Sequence, residues 1–284
     1  MLISVIGGDL RQITLAKLLE NDGHTVRIFG FDKDIDIAGL TKGDSFENTD
    51  IIVLPLPVSH DGILINAPFS KTEIHMKSLI ESLSSKTVIF GGKVPLSLIN
   101  TCKSKEIKIF DYFEREELTV ANAIPTAEGA IEIALSETPY TLHKSRCLII
   151  GYGRIGKILA DRLKAFGADV TVSARKCSDF AWIEANGYKT AHSNKLENKI
   201  SEYQLIFNTV PSMILSKELL EKIPEDCLVI DLASKPGGVD FSLAGDLGVR
   251  VIWALSLPGK VAPITSGEII KNAITNIINE MEGL

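Results

Sequence analysis

Apolar residues in this chain fall into short runs, and the stretches between them carry apolar residues at helical spacing. Short apolar runs bounded by polar or turn residues are typical of buried strands in a parallel sheet. In the first half of the chain, such runs occupy residues 2–6, 25–29, 50–54, 87–90 and 108–111. Helices are predicted at residues 10–21, where Asp22-Gly23 provides the end, and at residues 72–83. This alternation predicts a parallel α/β domain.

The second half repeats the pattern. Its predicted strands lie at residues 147–150, 169–173, 205–209, 228–232 and 250–252. Between the halves, Pro125 suits the first turn of a connecting helix that continues from Thr126 to Leu135 and stops at Pro139. A long helix is predicted at residues 266–281. We therefore expect two domains, with boundaries after residues 138 and 265.

One apolar run, residues 147–150, leads into a glycine-rich string and then into a helix at 157–166. The string reads Gly151-Tyr152-Gly153-Arg154-Ile155-Gly156. A strand, a turn of this type, a helix and a second strand within about thirty residues form the arrangement that binds a dinucleotide. Gly151 permits a tight turn, Gly153 lets backbone N–H groups approach a diphosphate, and Gly156 lets helix and strand pack closely. The helix N-terminus adds partial positive charge.

The fold class predicted from these patterns is α/β, with two Rossmann-like doubly wound domains and a cleft between them. Residues 1–138 would form the substrate and catalytic domain, with the terminal helix 266–284 packing back on it. Residues 139–265 would form the nucleotide domain. The turn Gly7-Gly8-Asp9 in the first domain lacks the full glycine pattern, so no second nucleotide is predicted there.

The residues after the second strand of the nucleotide domain distinguish NAD from NADP. An NAD site usually carries Asp or Glu at that place, to bind the ribose hydroxyls. This chain has Ser173, followed by Ala174-Arg175-Lys176. A hydroxyl and two cations suit a 2′-phosphate, which Arg can bind through two donors. NADP is therefore the expected cofactor, the alternative being that Arg175 and Lys176 are solvated loop charges.

Ligands of open α/β sheets bind at the carboxyl ends of the strands. In the second domain those ends carry Thr209-Val210-Pro211 and Asp231-Leu232, which we assign to the cofactor site. Each assignment has a structural alternative. The first segment would then be a strand ended by proline, and Asp231 would bond the backbone of its own turn.

Candidate catalytic residues follow strands of the first domain or begin the connecting helix. His60 or Glu128 could move a proton, and Lys93 could neutralise a carboxylate. Lys260 and the helix start at Thr265-Ser266 could bind an anionic substrate, together with Thr126. Surface, capping or linker roles are the alternatives for each of these residues.

The bulk properties exclude several classes of protein. The 284 residues are 45% hydrophobic and 23% charged, enough for two cores. A net charge of −6 predicts neither nucleic-acid nor membrane binding, and no apolar run approaches the roughly 20 residues of a membrane span. The N-terminus lacks a signal peptide, and the four cysteines form no C-x-x-C, so we expect a cytoplasmic protein without metal.

Two dehydrogenase classes fit poorly. D-2-hydroxyacid dehydrogenases need a late catalytic histidine, and no histidine follows His192. Tyr140 and Lys144 have the spacing of the catalytic pair of short-chain dehydrogenases. They lie between Pro139 and a strand, however, so helical geometry is not expected.

Several motifs together resemble the family of dipicolinate synthase A subunits from spore-forming Firmicutes, over nearly the whole chain. These motifs are Gly7-Gly8-Asp9-Leu10-Arg11-Gln12, Ile124 to Gly129, Gly151 to Gly156, Asp231 to Ser234, Pro236 to Asp240 and Leu257 to Pro263. The resemblance implies NADP-dependent oxidation of a dihydrodipicolinate-type compound to pyridine-2,6-dicarboxylate during sporulation, in the mother-cell cytoplasm. It also implies a partner, the flavoprotein-like B subunit of dipicolinate synthase.

On this basis Lys93, Lys260 and Thr265-Ser266 would bind the substrate carboxylates, and His60 or Glu128 would act as base. The expected assembly is a homo-oligomer. Two alternatives stay open. One is a dehydrogenase of the methylene-tetrahydrofolate type, which would require a Tyr-x-x-x-Lys pair in the first domain. The other is a non-catalytic NADP(H)-binding subunit that organises or regulates the B subunit.

Overall fold

The computed structural model describes residues 1–283 and divides the chain into two compact units. Unit 1 comprises Met1–Asn122 and the segment from Ala262 onward, and unit 2 comprises Ala123–Val261. Within the described residues each unit contains one six-stranded parallel sheet. The predicted α/β class with two doubly wound domains is therefore confirmed.

Unit 1 has the strand order β3-β2-β1-β4-β5-β6. Its strands are β1 (Leu2–Ile6), β2 (Thr25–Phe29), β3 (Thr41–Lys42), β4 (Ile51–Val53), β5 (Val88–Gly91) and β6 (Lys108–Asp111). Helices α1 (Leu10–Asn21), α2 (Met76–Glu81) and α3 (Leu96–Ser104) connect them. A 3₁₀ turn, Tyr112–Glu114, follows β6, and α4 (Glu116–Glu137) then leads into unit 2.

Unit 2 has the order β12-β11-β10-β7-β8-β9, which is the same winding. Its strands are β7 (Arg146–Ile150), β8 (Asp169–Ala174), β9 (Lys189–His192), β10 (Leu205–Asn208), β11 (Leu228–Asp231) and β12 (Arg250–Trp253). Its helices are α5 (Arg154–Ala165), α6 (Cys177–Ala185), α7 (Lys217–Leu220), α8 (Phe241–Asp246) and α9 (Leu257–Val261). Two 3₁₀ segments, Ser193–Asn198 and Ile200–Glu202, lie between β9 and β10.

The last helix, α10 (Pro263–Glu282), belongs to unit 1 and packs against α1. A small residue makes this approach possible, because a Cβ atom at Gly267 would lie 2.7 Å from Arg11 O. Isoleucines of α10 are buried in the core of unit 1 beside residues of α1. Arg115 also donates to both carboxylate oxygens of Glu280, at 2.7 and 2.5 Å.

All predicted helix starts except that of α1 differ from the structure, as do both predicted domain boundaries: α2 begins at Met76 rather than at residue 72, and α5 at Arg154 rather than at residue 157. Helix α4 begins at Glu116, so Pro125 lies inside it, and the unit boundary falls after Asn122 rather than after residue 138. Two glutamates in the first turn favour the earlier start. The boundary lies earlier because Ala127, Ala130 and Ile131 are buried in the core of unit 2. The second boundary falls after Val261, and α10 begins at Pro263 rather than at residue 266.

No helix among residues 1–283 is both long enough and apolar enough to cross a membrane.

Candidate functional site

The glycine-rich turn of unit 2 leaves the N-terminus of α5 open. Gly151 has a φ of +101°, and its amide donates to Ser173 O at 3.0 Å. Gly153 occupies the N-cap position of α5 and makes no side-chain capping hydrogen bond. A Cβ atom at Gly153 would meet nothing within 4 Å. The uncapped N-terminus, the helix dipole and the open space at Gly153 together form a cradle suited to a diphosphate.

The other two glycines hold the turn against its neighbours. A Cβ atom at Gly156 would overlap Gly151 O, and one at Gly151 would lie 2.6 Å from Thr209 Oγ1. Thr209 is tied to the same place, because its amide and hydroxyl both donate to Ile150 O, at 3.0 and 2.9 Å. A side chain at Gly156 would therefore clash with the backbone of the turn, and a side chain at Gly151 would clash with Thr209, the residue after β10.

The remaining residues of the string flank the turn. The Tyr152 ring packs on the core of unit 2 and lies 5.4 Å from Lys157 Nζ. Arg154 is exposed at the first position of α5, and Ile155 is half-buried against the same core. These side chains leave the backbone of the turn accessible.

The end of β8 carries the two predicted cations on the surface. Arg175 and Lys176 are exposed, and α6 begins directly after them at Cys177. Within residues 1–283 neither cation forms an ion pair with a carboxylate. The position where an NAD site holds an acidic residue is occupied by Ser173 and Ala174.

The predicted role of the Ser173 hydroxyl needs correction. Ser173 is 0% exposed, and its Oγ lies 3.2 Å from Ser193 Oγ. Ser193 in turn donates to Ala174 O at 3.0 Å. The hydroxyl therefore joins β8 to the segment after β9 and is not available to a phosphate group.

A buried Asn–Asp pair connects the loops that follow β10 and β11. Asp231 Oδ1 accepts hydrogen bonds from Asn208 Nδ2 (2.8 Å) and Ala233 N (3.0 Å), and its Oδ2 accepts one from Gly238 N (2.9 Å). Asn208 Oδ1 accepts from Val210 N at 3.2 Å. Of the two alternatives for Asp231, the structure therefore favours backbone bonding, and Asp231 holds the loops in place rather than contacting a ligand.

The loop after β10 is accessible, whereas Leu232 is not. Thr209 and Val210 are half-buried and Pro211 is exposed, so the three residues can face a ligand. The Leu232 side chain is buried in the core of unit 2. Leu232 is a predicted cofactor-binding residue, but because its side chain is buried, only its backbone could bind the cofactor.

The predicted base Glu128 lies away from the carboxyl ends of the strands. Its carboxylate accepts hydrogen bonds from Arg162 Nε and Nη2, at 3.4 and 3.3 Å. Arg162 lies two turns beyond Arg154, about 12 Å further along α5, which runs back from the carboxyl edge of the sheet. Glu128 therefore contacts the middle of α5 rather than its N-terminal turn, which the sequence spacing could not show because it does not reveal which face of α4 meets α5.

The candidates of unit 1 follow strands β4 and β5. His60 is exposed in a loop whose turn is held by Asp61, which accepts hydrogen bonds from Ile63 N and Leu64 N. These bonds lower the pKa of Asp61. Lys93 has a φ of +54°, which is unusual for a residue other than glycine.

A carboxylate holds Lys93 in this conformation. The amides of Lys93 and Val94 donate to Asp111 Oδ1 and Oδ2, at 3.0 and 2.7 Å. The Lys93 ammonium group lies 5.3 Å from the centroid of the Phe113 ring. Asp111, at the end of β6, is a positioning residue that the sequence patterns did not single out.

The remaining substrate candidates are divided between the units. Thr265 and Ser266 lie in the first turn of α10 in unit 1, Thr265 exposed and Ser266 buried. Lys260 is exposed on α9 and Thr126 is half-buried in α4, both in unit 2. Among residues 1–283 no group of His, Cys, Asp and Glu has the geometry of a metal site.

Comparison with known proteins supports the sequence motifs. Residues 2–113 match the family described as the N-terminal domain of the dipicolinate synthase A subunit. The A subunit of dipicolinate synthase from Bacillus subtilis (strain 168) is 34% identical over 99% of this chain and 96% of its own length. The chain belongs to the family of dipicolinate synthase A subunits.

Crystal structures of two family members agree with this. The A subunit from Bacillus halodurans is 30% identical, with a TM-score of 0.88 over 97% of each chain. The A chain from Bacillus subtilis is 33% identical, with a TM-score of 0.87 over 100% of this chain and 97% of that chain. A transhydrogenase from Sinorhizobium meliloti, at 15% identity and a TM-score of 0.73 over 98% and 94% of the chains, shares the fold.

Residues 121–235 match the NAD-binding domain of D-isomer specific 2-hydroxyacid dehydrogenases. This range contains the glycine-rich turn, so the second unit is a nicotinamide-dinucleotide-binding domain of the dehydrogenase type. The absence of a histidine after His192 still separates this chain from the catalysts of that class. The relationship lies in the nucleotide domain.

Proposed function

We propose that this chain oxidises a dihydrodipicolinate-type compound to pyridine-2,6-dicarboxylate with NADP as the cofactor. The observation that carries the proposal is the turn of unit 2, where open amides at the start of α5 lie between β7 and the exposed pair Arg175 and Lys176. Membership of the family of dipicolinate synthase A subunits supports the ring dicarboxylate as the substrate class.

The residues of unit 2 fit the cofactor in three places. Amides of residues 153–156 would bind the diphosphate, and Arg175 with Lys176 would bind the 2′-phosphate. Thr209, Val210 and Pro211 would lie under the nicotinamide ring, on a loop held by Asn208 and Asp231. A cofactor bound there would supply the acceptor for a hydride from the substrate ring.

The chain's own residues would then handle carboxylates and the proton. Lys93, Lys260 and the start of α10 at Thr265 would bind the two carboxylates. Thr126 of α4 would also contact the substrate. His60 would take the ring proton that leaves as the ring becomes aromatic, since Glu128 is engaged with Arg162. One substrate and one NADP⁺ thus yield one pyridine-2,6-dicarboxylate, one NADPH and one proton.

The biological setting is part of the same proposal. The family is named for the A subunit of a synthase, which implies a partner, and for this partner we propose the flavoprotein-like B subunit. The reaction would take place in the mother cell during sporulation, with the chain as a homo-oligomer.

A turnover assay separates this function from a purely regulatory role. Purified chain is given NADP⁺ and freshly generated dihydrodipicolinate, with the B subunit present or omitted, and NADPH absorbance and pyridine dicarboxylate are recorded. We expect both products when the B subunit is omitted. No turnover in either mixture, with NADP⁺ still bound, would contradict the proposal and favour a non-catalytic role.

A further inference from the structure

The first turn of α1 contains a buried guanidinium whose donors are only partly used. Arg11 is 7% exposed. Its Nε and Nη2 donate to Asp9 Oδ1 and Oδ2, both at 2.8 Å, and Nη2 also donates to Leu56 O at 2.7 Å. A guanidinium has five N–H donors. The two on Nη1 have no acceptor among residues 1–283.

An unused donor on a buried cation is costly unless a ligand or water satisfies it. The Nη1 group of Arg11 retains some exposure to solvent, although the residue as a whole is 7% exposed. The other edge of the guanidinium is fixed by Asp9 and Leu56, which leaves the orientation of Nη1 little freedom. Arg11 thus presents two preorganised donors in one direction.

The same turn is unsuited to the diphosphate that unit 2 would bind. At the N-terminus of α1 the Asp9 carboxylate accepts the amide of Arg11 at 3.0 Å, whereas Gly153 leaves the corresponding place in unit 2 open. The amide of Gly8 is also occupied, because it donates to Asn66 O at 2.7 Å. The amides of Gly8 and Arg11 are therefore not available to a diphosphate, whereas the Nη1 edge of Arg11 still has two donors for a carboxylate.

A second basic residue follows a glycine that packs against Leu56. Leu56 accepts from Arg11 and also contacts Gly92, where a Cβ atom would lie 2.7 Å from Leu56 Cδ1. Lys93 follows Gly92 and is held at its positive φ by Asp111. With Asp111 included, the formal charges of Asp9, Arg11 and Lys93 are balanced, so the directed donors of Arg11, rather than the net charge of this edge, would select the ligand.

We propose that Arg11 is a substrate-binding residue that receives one carboxylate of the ring substrate through Nη1, with Lys93 near the second. This assignment rests on the proposed function, because it takes the substrate to be a dianion. It adds to that function a residue that determines specificity for two carboxylates rather than one. Lysine would keep the positive charge of Arg11 but would lack the Nη1 donors, which the bonds to Asp9 and Leu56 hold in one orientation.

The test compares two ring ligands on the NADP⁺-loaded protein. Pyridine-2,6-dicarboxylate and the monocarboxylate pyridine-2-carboxylate are titrated calorimetrically into wild type and Arg11→Lys. We expect wild type to prefer the dicarboxylate. In Arg11→Lys the Kd of the dicarboxylate should rise at least about tenfold, as for one charge-assisted hydrogen bond, and the preference should shrink.

Two controls accompany the test. Arg27→Lys makes the same chemical change on β2 of unit 1 and should leave both Kd values unchanged. NADP⁺ affinity and thermal unfolding show whether each variant is folded. Should Arg11→Lys fail to fold, the double variant Asp9→Asn, Arg11→Gln removes both charges and takes its place in the same titrations.

The outcomes distinguish the assignment from the function it rests on. Wild-type binding of the dicarboxylate with an unchanged preference in the folded Arg11 variant would overturn the assignment alone. Wild type that binds NADP⁺ but neither ring would overturn the proposed function and this assignment with it. Loss of the preference in Arg11→Lys but not in Arg27→Lys would support Arg11.

Discussion

Arg175 tests the choice of coenzyme at the level of a single side chain. It is exposed at the end of β8, and no acidic residue occupies the ribose position beside it. A hydrogen bond from a charged group is worth about 1.5–3 kcal/mol. Arg175→Gln should therefore raise the Kd of NADP⁺ at least about tenfold and change that of NAD⁺ little.

Fluorescence titration of both coenzymes measures this. Lys189→Gln is the matched control, because Lys189 pairs with Asp169 at the opposite, amino-terminal edge of the same sheet. It should leave both affinities unchanged. Equal weakening of NADP⁺ and NAD⁺ by Arg175→Gln would show that Arg175 does not bind the 2′-phosphate.

Asp231 shows how a buried side chain can serve the site without touching a ligand. Asp231→Asn would place an amide N–H₂ group against one of the backbone donors, Ala233 N or Gly238 N. Losing such a bond should lower the free energy of unfolding by about 1–3 kcal/mol and weaken coenzyme binding through the loosened loops.

Urea denaturation and coenzyme titration measure the two effects of Asp231→Asn. Asp226→Asn makes the same change at an exposed position before β11 and should alter neither quantity. Lower stability with unchanged coenzyme affinity would limit Asp231 to a role in folding.

The helix after the glycine turn gives a test at the level of an element. A Cβ atom at Gly156 would overlap the carbonyl of Gly151, whereas one at Gly245 in α8 would meet nothing. Gly156→Ala should destabilise the chain by about 1–3 kcal/mol and abolish coenzyme binding. Gly245→Ala should keep binding and raise stability by up to about 1 kcal/mol. Thermal unfolding and coenzyme titration of both variants measure these effects. Normal coenzyme binding by Gly156→Ala would contradict the prediction.

The elements also show how far sequence patterns reach. Strands β1 and β2 and helix α1 have the bounds predicted for them, because apolar periodicity and turn residues coincide there. Periodicity did not indicate β3, which is two exposed residues, or short helices such as α9. Proline is most common at a helix start, which predicts a helix from Pro125, whereas α4 begins at Glu116 and contains Pro125 in its interior.

Within the candidate site, the order of residues located the glycine turn but not the direction of side chains. Motif and spacing place Gly151 to Gly156 correctly, directly after β7 and extending into the first turn of α5. They could not reveal that Ser173 is buried or that Glu128 meets Arg162, because both depend on packing between elements distant in sequence. Nor did they single out Asp111, whose role follows from the unusual backbone of Lys93.

Across the whole molecule, one strand order is used twice with different chemistry in the first turn. In each unit, the glycine that follows the first strand donates its amide to a carbonyl near the end of the second strand. These hydrogen bonds run from Gly7 N to Phe29 O and from Gly151 N to Ser173 O. The following helix then begins with Asp9 in unit 1 and with Gly153 in unit 2. A carboxylate in one turn and open amides in the other assign the diphosphate to unit 2.

Calorimetric titration of the purified chain with NADP⁺ and NAD⁺ in parallel tests this assignment and the coenzyme choice most directly. The account predicts that both bind and that NADP⁺ binds at least about tenfold more tightly, since only NADP⁺ reaches Arg175 and Lys176 with a phosphate. Binding of neither coenzyme would contradict the nucleotide site itself. NAD⁺ binding as tightly as NADP⁺, or more tightly, would contradict the role of the two cations.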